Sequence, residues 1–301
     1  MPLGRKVCND LPYGLFGKEG IVLQLGNISL SLLSDGPIKY DGGVLFGDLP
    51  KTSWERMVRV DRRNRLPVEM NCLLIRTPEH TILVDTGAGS KDIERRREEY
   101  GLGPSRLLRD LRAAGVSPRE VDIVLLTHLH FDHCGGATRL DRWGDVIPTF
   151  PRATYMVQKA SWEEANDPGE RGKLTYDPED FLSLEKWGQI DWLDGDSEVI
   201  PGVRVKVTGA HAGGHQIVQV DQGSERVTLM GDLIPTHHHL DLACIASNDR
   251  FPQETLEQKR LFLDQAEKEG WLVVFSHSHQ GVHAGYVERR NQHLQVRQVD
   301  F

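Results

Sequence analysis

The sequence predicts an α/β fold, an αββα sandwich of two mixed β-sheets flanked by helices, and three observations carry that prediction. Short apolar or alternating runs bounded by turn residues recur in both halves of the chain. Charged segments with leucines at helical spacing lie between them. Side chains able to bind metal sit directly after several of the apolar runs, where loops at strand ends build sites.

Taken in order, Ile21 to Leu33 alternates or runs apolar like a pair of hairpin strands. Asn71 to Arg76 and Thr81 to Val84 repeat the pattern around the turn Pro78-Glu79-His80. From Lys91 to Gly115 the chain becomes charged, and Leu107, Leu108 and Leu111 fall on one face of a helix that stops at Gly115. Val121 to Leu126 reads as a short buried strand feeding a loop at Thr127. Further strands are expected near Val203 to Val207, Gln216 to Val220 and Val227 to Met230, then a helix from about Glu254 to Lys268. Trp271 to Phe275 returns to strand, and Leu294 to Val299 alternates as a last one. With no internal repeat or low-complexity stretch, residues 1–301 read as one domain.

Composition narrows the function. The chain has 301 residues, 39% hydrophobic and 27% charged, the values of a soluble enzyme with a sizeable core. A formal net charge of -8 gives no electrostatic footprint for nucleic acid or anionic membranes. No apolar run is long enough to span a bilayer, and Met1 to Gly20 lacks the apolar centre of a secretory signal, so the protein reads as cytoplasmic. Cys8, Cys72, Cys134 and Cys244 are scattered without paired spacing and read as reduced thiols. Cys134 follows the metal-type cluster directly, yet it reads as packing, because thiolate ligands come in recognisable sets.

The chemistry is concentrated in His128-Leu129-His130-Phe131-Asp132-His133, four metal-capable groups within six residues after a buried strand. A fixed pattern of three His and one Asp arises by chance in only about one such sequence in a thousand. In an extended loop His128 and His130 point the same way, while Asp132 and His133 come round to a second position, so one segment can serve two metals. Distant ligands are expected at His211, Asp232 and His277, each at or after the end of a predicted strand. Imidazoles and carboxylates suit zinc, iron, cobalt or manganese, and the two oxygens of Asp232 can bridge two cations.

These residues carry a resemblance. The HxHxDH segment, Leu83-Val84-Asp85-Thr86-Gly87, His211, Gly231-Asp232 and His277 resemble the metallo-β-lactamase superfamily over nearly the whole chain. Ser34-Asp35-Gly36, Asp41-Gly42-Gly43, Phe46-Gly47, Pro50-Lys51, Asn64-Arg65 and Gly231 to Thr236 are similar to its branch of quorum-quenching lactonases and methyl parathion hydrolase. The resemblance implies the metallo-β-lactamase fold and two divalent ions, zinc first. It puts His128, His130 and His211 on one ion, Asp132, His133 and His277 on the other, and Asp232 between them. Asp85 is implied as a carboxylate that orients a ligand imidazole.

Two positions depart from the branch. Thr208-Gly209-Ala210-His211 replaces Thr-Pro-Gly-His, and His277-Ser278 replaces His-Asp, which removes a carboxylate and leaves His279 near the site. Either His277 or His279 fits as ligand, with His277 favoured by its place directly after the strand. His215 reads as structural. Of the run His237-His238-His239, one side chain is expected in the substrate pocket and the others in solvent. Trp54, Phe46, Leu240 and Phe251 are read as pocket walls, or equally as core or dimer contacts.

The implied activity is hydrolysis of a lactone or ester, acyl-homoserine lactones among them. A metal-bridging hydroxide is the nucleophile, with Asp232 and Asp132 as the catalytic carboxylates and Asp132 as proton shuttle. Phosphotriester hydrolysis and arylesterase activity are the alternatives. A metal-binding module without catalysis is the contrast outside the enzymes. A small-molecule substrate is the expected partner, and a homodimer is expected by resemblance only.

Overall fold

In the computed structural model, which describes residues 21–301, side-chain alternation along the strands sorts the apolar residues into three packed layers. The readings made on Met1 to Gly20 and Cys8 lie outside the described residues. The first sheet holds β1 (Val22–Leu25), β2 (Ile28–Asp41), β3 (Arg65–Arg76), β4 (Thr81–Val84) and β5 (Ile123–Leu125). A small ribbon of β6 (Thr138–Leu140) and β7 (Val146–Pro148) stands apart, and β8 (Thr154–Gln158) and β9 (Ile190–Leu193) complete the sheet. β1 to β4 pair antiparallel, and β4, β5, β8 and β9 run parallel.

The second sheet holds β10 (Ser197–Ile200), β11 (Val203–Val207), β12 (Gln216–Gln222), β13 (Glu225–Leu229), β14 (Leu272–His279), β15 (Val282–Arg290) and β16 (His293–Val299). Only β13 and β14 pair parallel in it. The sheets join where β14 pairs with β3, through His277 with Met70 and Ser278 with Glu69.

Leu73, Val84 and Leu125 face Val205, Leu229 and Val274 between the sheets. Their neighbours Leu74, Leu83 and Val124 turn outward onto Leu107 and Leu111 of the helix Leu107–Ala113. Val273 and Phe275 turn outward onto Phe262 and Leu263 of the helix Pro252–Glu269. The result is the expected αββα layering, and it exposes one edge at which strands from both sheets end.

The single helix expected from Lys91 to Gly115 is two, Ile93–Tyr100 and Leu107–Ala113. Gly101 ends the first in the left-handed region at φ 56°, and the Pro104 stretch reaches the second. β3 begins six residues before the Asn71 start read from the sequence, because it follows the long strand β2 down to Asp41 paired with Arg65. β8, β9, β10 and β15 were not legible as strands. Among the described residues no helix is long and apolar enough to cross a membrane.

Candidate metal centre

β5 is buried at every residue and ends where Thr127 leads into His128 and His130. His130 is the N-cap of a single helical turn, Phe131–Cys134, and that turn rotates Asp132 and His133 away from the first two imidazoles. One short segment therefore faces two places, as its spacing predicted. His128 Nε2 lies 3.0 Å from His130 Nδ1, and His211 Nε2 lies 3.0 Å from the same nitrogen. Around the second place, His133 Nε2 and His277 Nε2 are 3.2 Å apart. Each stands 3.3 Å or less from Asp132 Oδ2.

Asp232 lies between the two groups. Its Oδ2 is 3.4 Å from His211 Nε2, and its Oδ1 is 3.2 Å from His133 Nε2 and 3.3 Å from His277 Nε2. The loop that delivers it needs Gly231 at φ 53°, where a Cβ would stand 2.4 Å from His215 Nε2. His215 is structural, as expected. Thr208 Oγ1 sits 2.7 Å from its Nδ1, and its Nε2 accepts the Asp232 backbone N–H at 2.9 Å.

The imidazoles are fixed from behind. Asp85 Oδ2 lies 2.9 Å from His133 Nδ1, while its carboxylate accepts the Thr127 N–H and hydroxyl at 2.8 Å each. Asp249 Oδ1 lies 2.6 Å from His211 Nδ1. A carboxylate accepts only, so each holds the ring proton on Nδ1 and turns a bare Nε2 inward.

The donor set fits bound cations. Ring nitrogens about 3 Å apart need either a shared proton or an ion between them, and Asp232 Oδ1 is buried with no hydrogen-bond partner. Burial, then the neighbouring His211, pushes His130 down to about 3, which keeps it neutral. Burial also works against a charge on His277, yet the Asp232 and Asp132 carboxylates beside it hold it up to about 9. That second group draws positive charge, which a dication held there would supply.

Above the centre opens a cavity of about 1390 Å³, lined by Tyr40, Leu45, Phe131, Leu174 and Tyr176 together with His130, Asp132, His211, Asp232 and His277. The Tyr40 hydroxyl donates to Asp132 Oδ2, and its ring lies edge-on to His277 at 5.4 Å. Burial, then the Asp132 and Asp232 charges, push its pKa well above the ordinary phenol value, so Tyr40 stays a donor. Tyr176 covers His130 at 4.8 Å and donates to Glu164 at 2.9 Å.

All seven residues expected around two ions meet here, and Asp85 lies against His133 Nδ1. Of the two alternatives, His277 joins the centre and His279 does not. Cys134 donates its thiol to Leu129 O within the core and belongs to neither group. Of the readings left open for these residues, the core one holds for Trp54 and Phe46, and the pocket-wall one requires correction. Trp54 stacks on Phe46 inside the core, Leu240 packs on the second sheet's outer layer, and neither they nor Phe251 line the cavity. The His237 run does not reach it either: His239 is buried against Thr236 and Leu45, and His237 and His238 face another groove. Sequence reasoning missed Tyr40, Tyr176 and Asp249. Tyr40 adjoins Asp41-Gly42-Gly43, a usable signal, whereas Tyr176 and Asp249 sit in loops without pattern.

Two His/Asp clusters at the strand ends of an αββα sandwich define a metal-binding α/β protein. Residues 66–277 match the model of the Metallo-beta-lactamase superfamily, and the chain belongs to that superfamily. It is 26% identical over 219 residues to the N-acyl homoserine lactonase of Bacillus thuringiensis, covering 68% of this chain and 80% of that one. A Bacillus cereus N-acyl homoserine lactonase is 26% identical over 178 residues, 56% of this chain; the chain spans 64% of that relative's length. Among solved structures, a "probable metal-dependent hydrolase" from Staphylococcus aureus superposes with a TM-score of 0.81 at 26% identity, over 92% of this chain and 99% of the other. The dizinc quorum-quenching lactonase AidC superposes with a TM-score of 0.76 at 20% identity, over 93% and 97%, and shows the shared fold.

Proposed function

We propose that this chain is a dinuclear metal-dependent hydrolase that opens lactones or cleaves esters, with acyl-homoserine lactones as the substrate class and quorum quenching as the role. The observation that carries the reading is Asp232, whose two oxygens face the two imidazole groups separately. In this reading His128, His130 and His211 hold one ion, Asp132, His133 and His277 hold the other, and Asp232 touches both. When bound, such a pair, zinc by its donor set, supplies an acidified water at neutral pH and polarises the substrate carbonyl.

The chain's own groups do the rest. Asp85 and Asp249 fix the tautomers of His133 and His211. Asp132 Oδ2, held by Tyr40, takes the proton released by the attacking water and returns it to the leaving alkoxide. Tyr40, kept protonated, gives its one hydrogen to Asp132 Oδ2; once Asp132 takes up the water's proton that acceptor loses its charge, and the hydroxyl is free to turn to the developing oxyanion. Leu45, Phe131 and Leu174 give an acyl chain an apolar wall. The lactonase relatives support the substrate class, and the free, buried Cys72, Cys134 and Cys244 support a reducing cytoplasmic setting.

The test is a hydrolysis screen of purified zinc-loaded protein over lactones of varied acyl length, aryl esters and phosphotriesters. Lactone opening is expected to lead, and Asp232→Asn to lower kcat/KM by about 100-fold or more. A protein that opens neither γ-lactones nor activated aryl esters, with Asp232→Asn no different from wild type, ends this reading. Turnover of phosphotriesters alone moves the substrate class to phosphorus.

A further inference from the structure

A second group of imidazoles lies outside the centre and has no part in the proposed reaction. His237 and His238 open the turn His237–Leu240, and His279 ends β14. One ring nitrogen from each lies within 4.8 Å of the others, and no carboxylate or thiolate belongs to the group. His238 Nε2 stands 3.0 Å from His279 Nδ1, and the His237 and His238 ring centroids are 3.9 Å apart. A hydrogen bond between two imidazoles accounts for the first pair alone. It does not account for a third ring crowded against them, with its Nδ1 buried and without a partner.

The scaffold beneath these rings is rigid. Thr236 caps the turn by accepting the His238 backbone N–H at 3.2 Å. His239 locks it to the body, with Nδ1 2.8 Å from Thr236 Oγ1 and Nε2 donating to Leu45 O at 2.8 Å. His279 is pinned by its pairing with Val282 across the two-residue turn Gln280-Gly281, both residues at positive φ. His237 and His238 also line a groove of about 590 Å³, which gives the group a path to solvent. Burial, then neighbouring rings, lowers His237 to about 4 and His238 to about 3, so both present lone pairs at neutral pH.

We propose that His237, His238 and His279 form a further binding site for a borderline divalent cation such as zinc, separate from the buried pair. Two imidazole nitrogens on a tetrahedral zinc at about 2.0–2.1 Å lie about 3.3 Å apart, close to the His238–His279 separation. A small rotation of His237 brings the third donor in. All-nitrogen donors with an open fourth position select zinc, copper or nickel over magnesium or calcium. Bound there, the ion ties the loop after Asp232 to the end of the strand that carries His277. The site therefore joins two segments that each carry a residue of the centre, without entering it.

The experiment counts zinc on the full-length, zinc-loaded protein after gel filtration and follows further zinc uptake by calorimetry. Wild type is expected to hold one zinc ion more than His238→Ala, with the hydrolytic rate of that variant unchanged. Its extra ion should bind at least tenfold more weakly once His238 is removed. His237→Asn, which keeps a polar group in the turn, serves as the second variant and is expected to lose the same ion. Equal zinc content and equal titrations in wild type and both variants overturn the proposal. Because the readout is a difference of one ion, it stands or falls independently of whether the buried pair is catalytic.

Discussion

Replacing Asp85 by Asn tests how far the metal centre depends on the carboxylates behind it. Asp85 sits at φ 56°, a left-handed conformation that Asn also tolerates, so the change alters the side chain without straining the backbone. The wild-type carboxylate takes three hydrogen bonds, from the Thr127 N–H and hydroxyl at 2.8 Å and from His133 Nδ1 at 2.9 Å, with Asp85 1% exposed. An amide has one acceptor oxygen, and whichever way it turns it sets an NH2 against a donor. If that NH2 faces His133, the ring must carry its proton on Nε2, where the lone pair is needed. A hydrogen bond to a charged group contributes about 1.5–3 kcal/mol, which at about 1.4 kcal/mol per decade predicts a 10- to 100-fold loss of zinc affinity. Changes behind metal-bound histidines have effects of the same order. The assay is competition for zinc between stripped protein and a chromophoric chelator, with folding checked by circular dichroism. A dissociation constant within twofold of wild type in a folded Asp85→Asn protein refutes the reasoning.

Three further outcomes follow from the same geometry. His239 is fully buried and lowered to about 4, by burial first and then by the Lys259 charge, against about 6.5 unfolded. A depressed folded value means its contribution is complete above about pH 6.5 and is lost as pH falls through about 4, roughly 3 kcal/mol in all. Urea unfolding of chelator-stripped wild type and His239→Gln should therefore converge across that window, and parallel curves would count against it. Gly231→Ala places a methyl 2.4 Å from His215 Nε2 at φ 53°, and a fall of several degrees in Tm with weaker zinc binding is expected; unchanged values of both contradict the account. Tyr40→Phe should lower kcat about 10- to 100-fold while zinc content holds, and full activity would remove Tyr40 from the reaction.

What the sequence made legible follows from where its signals were local. Thr81–Val84 was read to the residue because a tight turn closed by Thr77 and His80 precedes it and the pairing with β3 is short. His128 to His133 was readable because four metal-capable side chains fall within six residues. β15 was not, since Val282–Arg290 mixes glycine, histidine and arginine and owes its strand to β14 and β16 on either side. Asp249 was invisible for a related reason. It lies 38 residues from His211 in an unpatterned loop, and only the fold brings the two carboxylate and imidazole atoms to 2.6 Å. The assignment of His277 over His279 rested on strand position alone; in the fold His277 pairs with Met70 of β3, whereas His279 pairs with Val282 of β15.

The origin of the proposed ligands explains why the centre sits where it does. His128, His130, Asp132 and His133 leave the first sheet, whereas His211, Asp232 and His277 come from the second. Among the described residues the sheets pair strand to strand only at β3 and β14, and His277 itself is one of the residues paired there, with Met70. Asn71 reinforces that seam by donating its side-chain amide to Phe275 O at 2.7 Å. Ligands drawn from two sheets hold their spacing only as well as the sheets hold theirs, so the one continuous ladder between them is the place with the least play. A cation held at the seam in turn favours the folded arrangement of both halves, because the unfolded chain offers no such set of donors. In the proposed centre, fold and ion stabilise each other through the same few residues, and Asp85 and Asp249, each bonded to the back of a ligand imidazole, belong to that support.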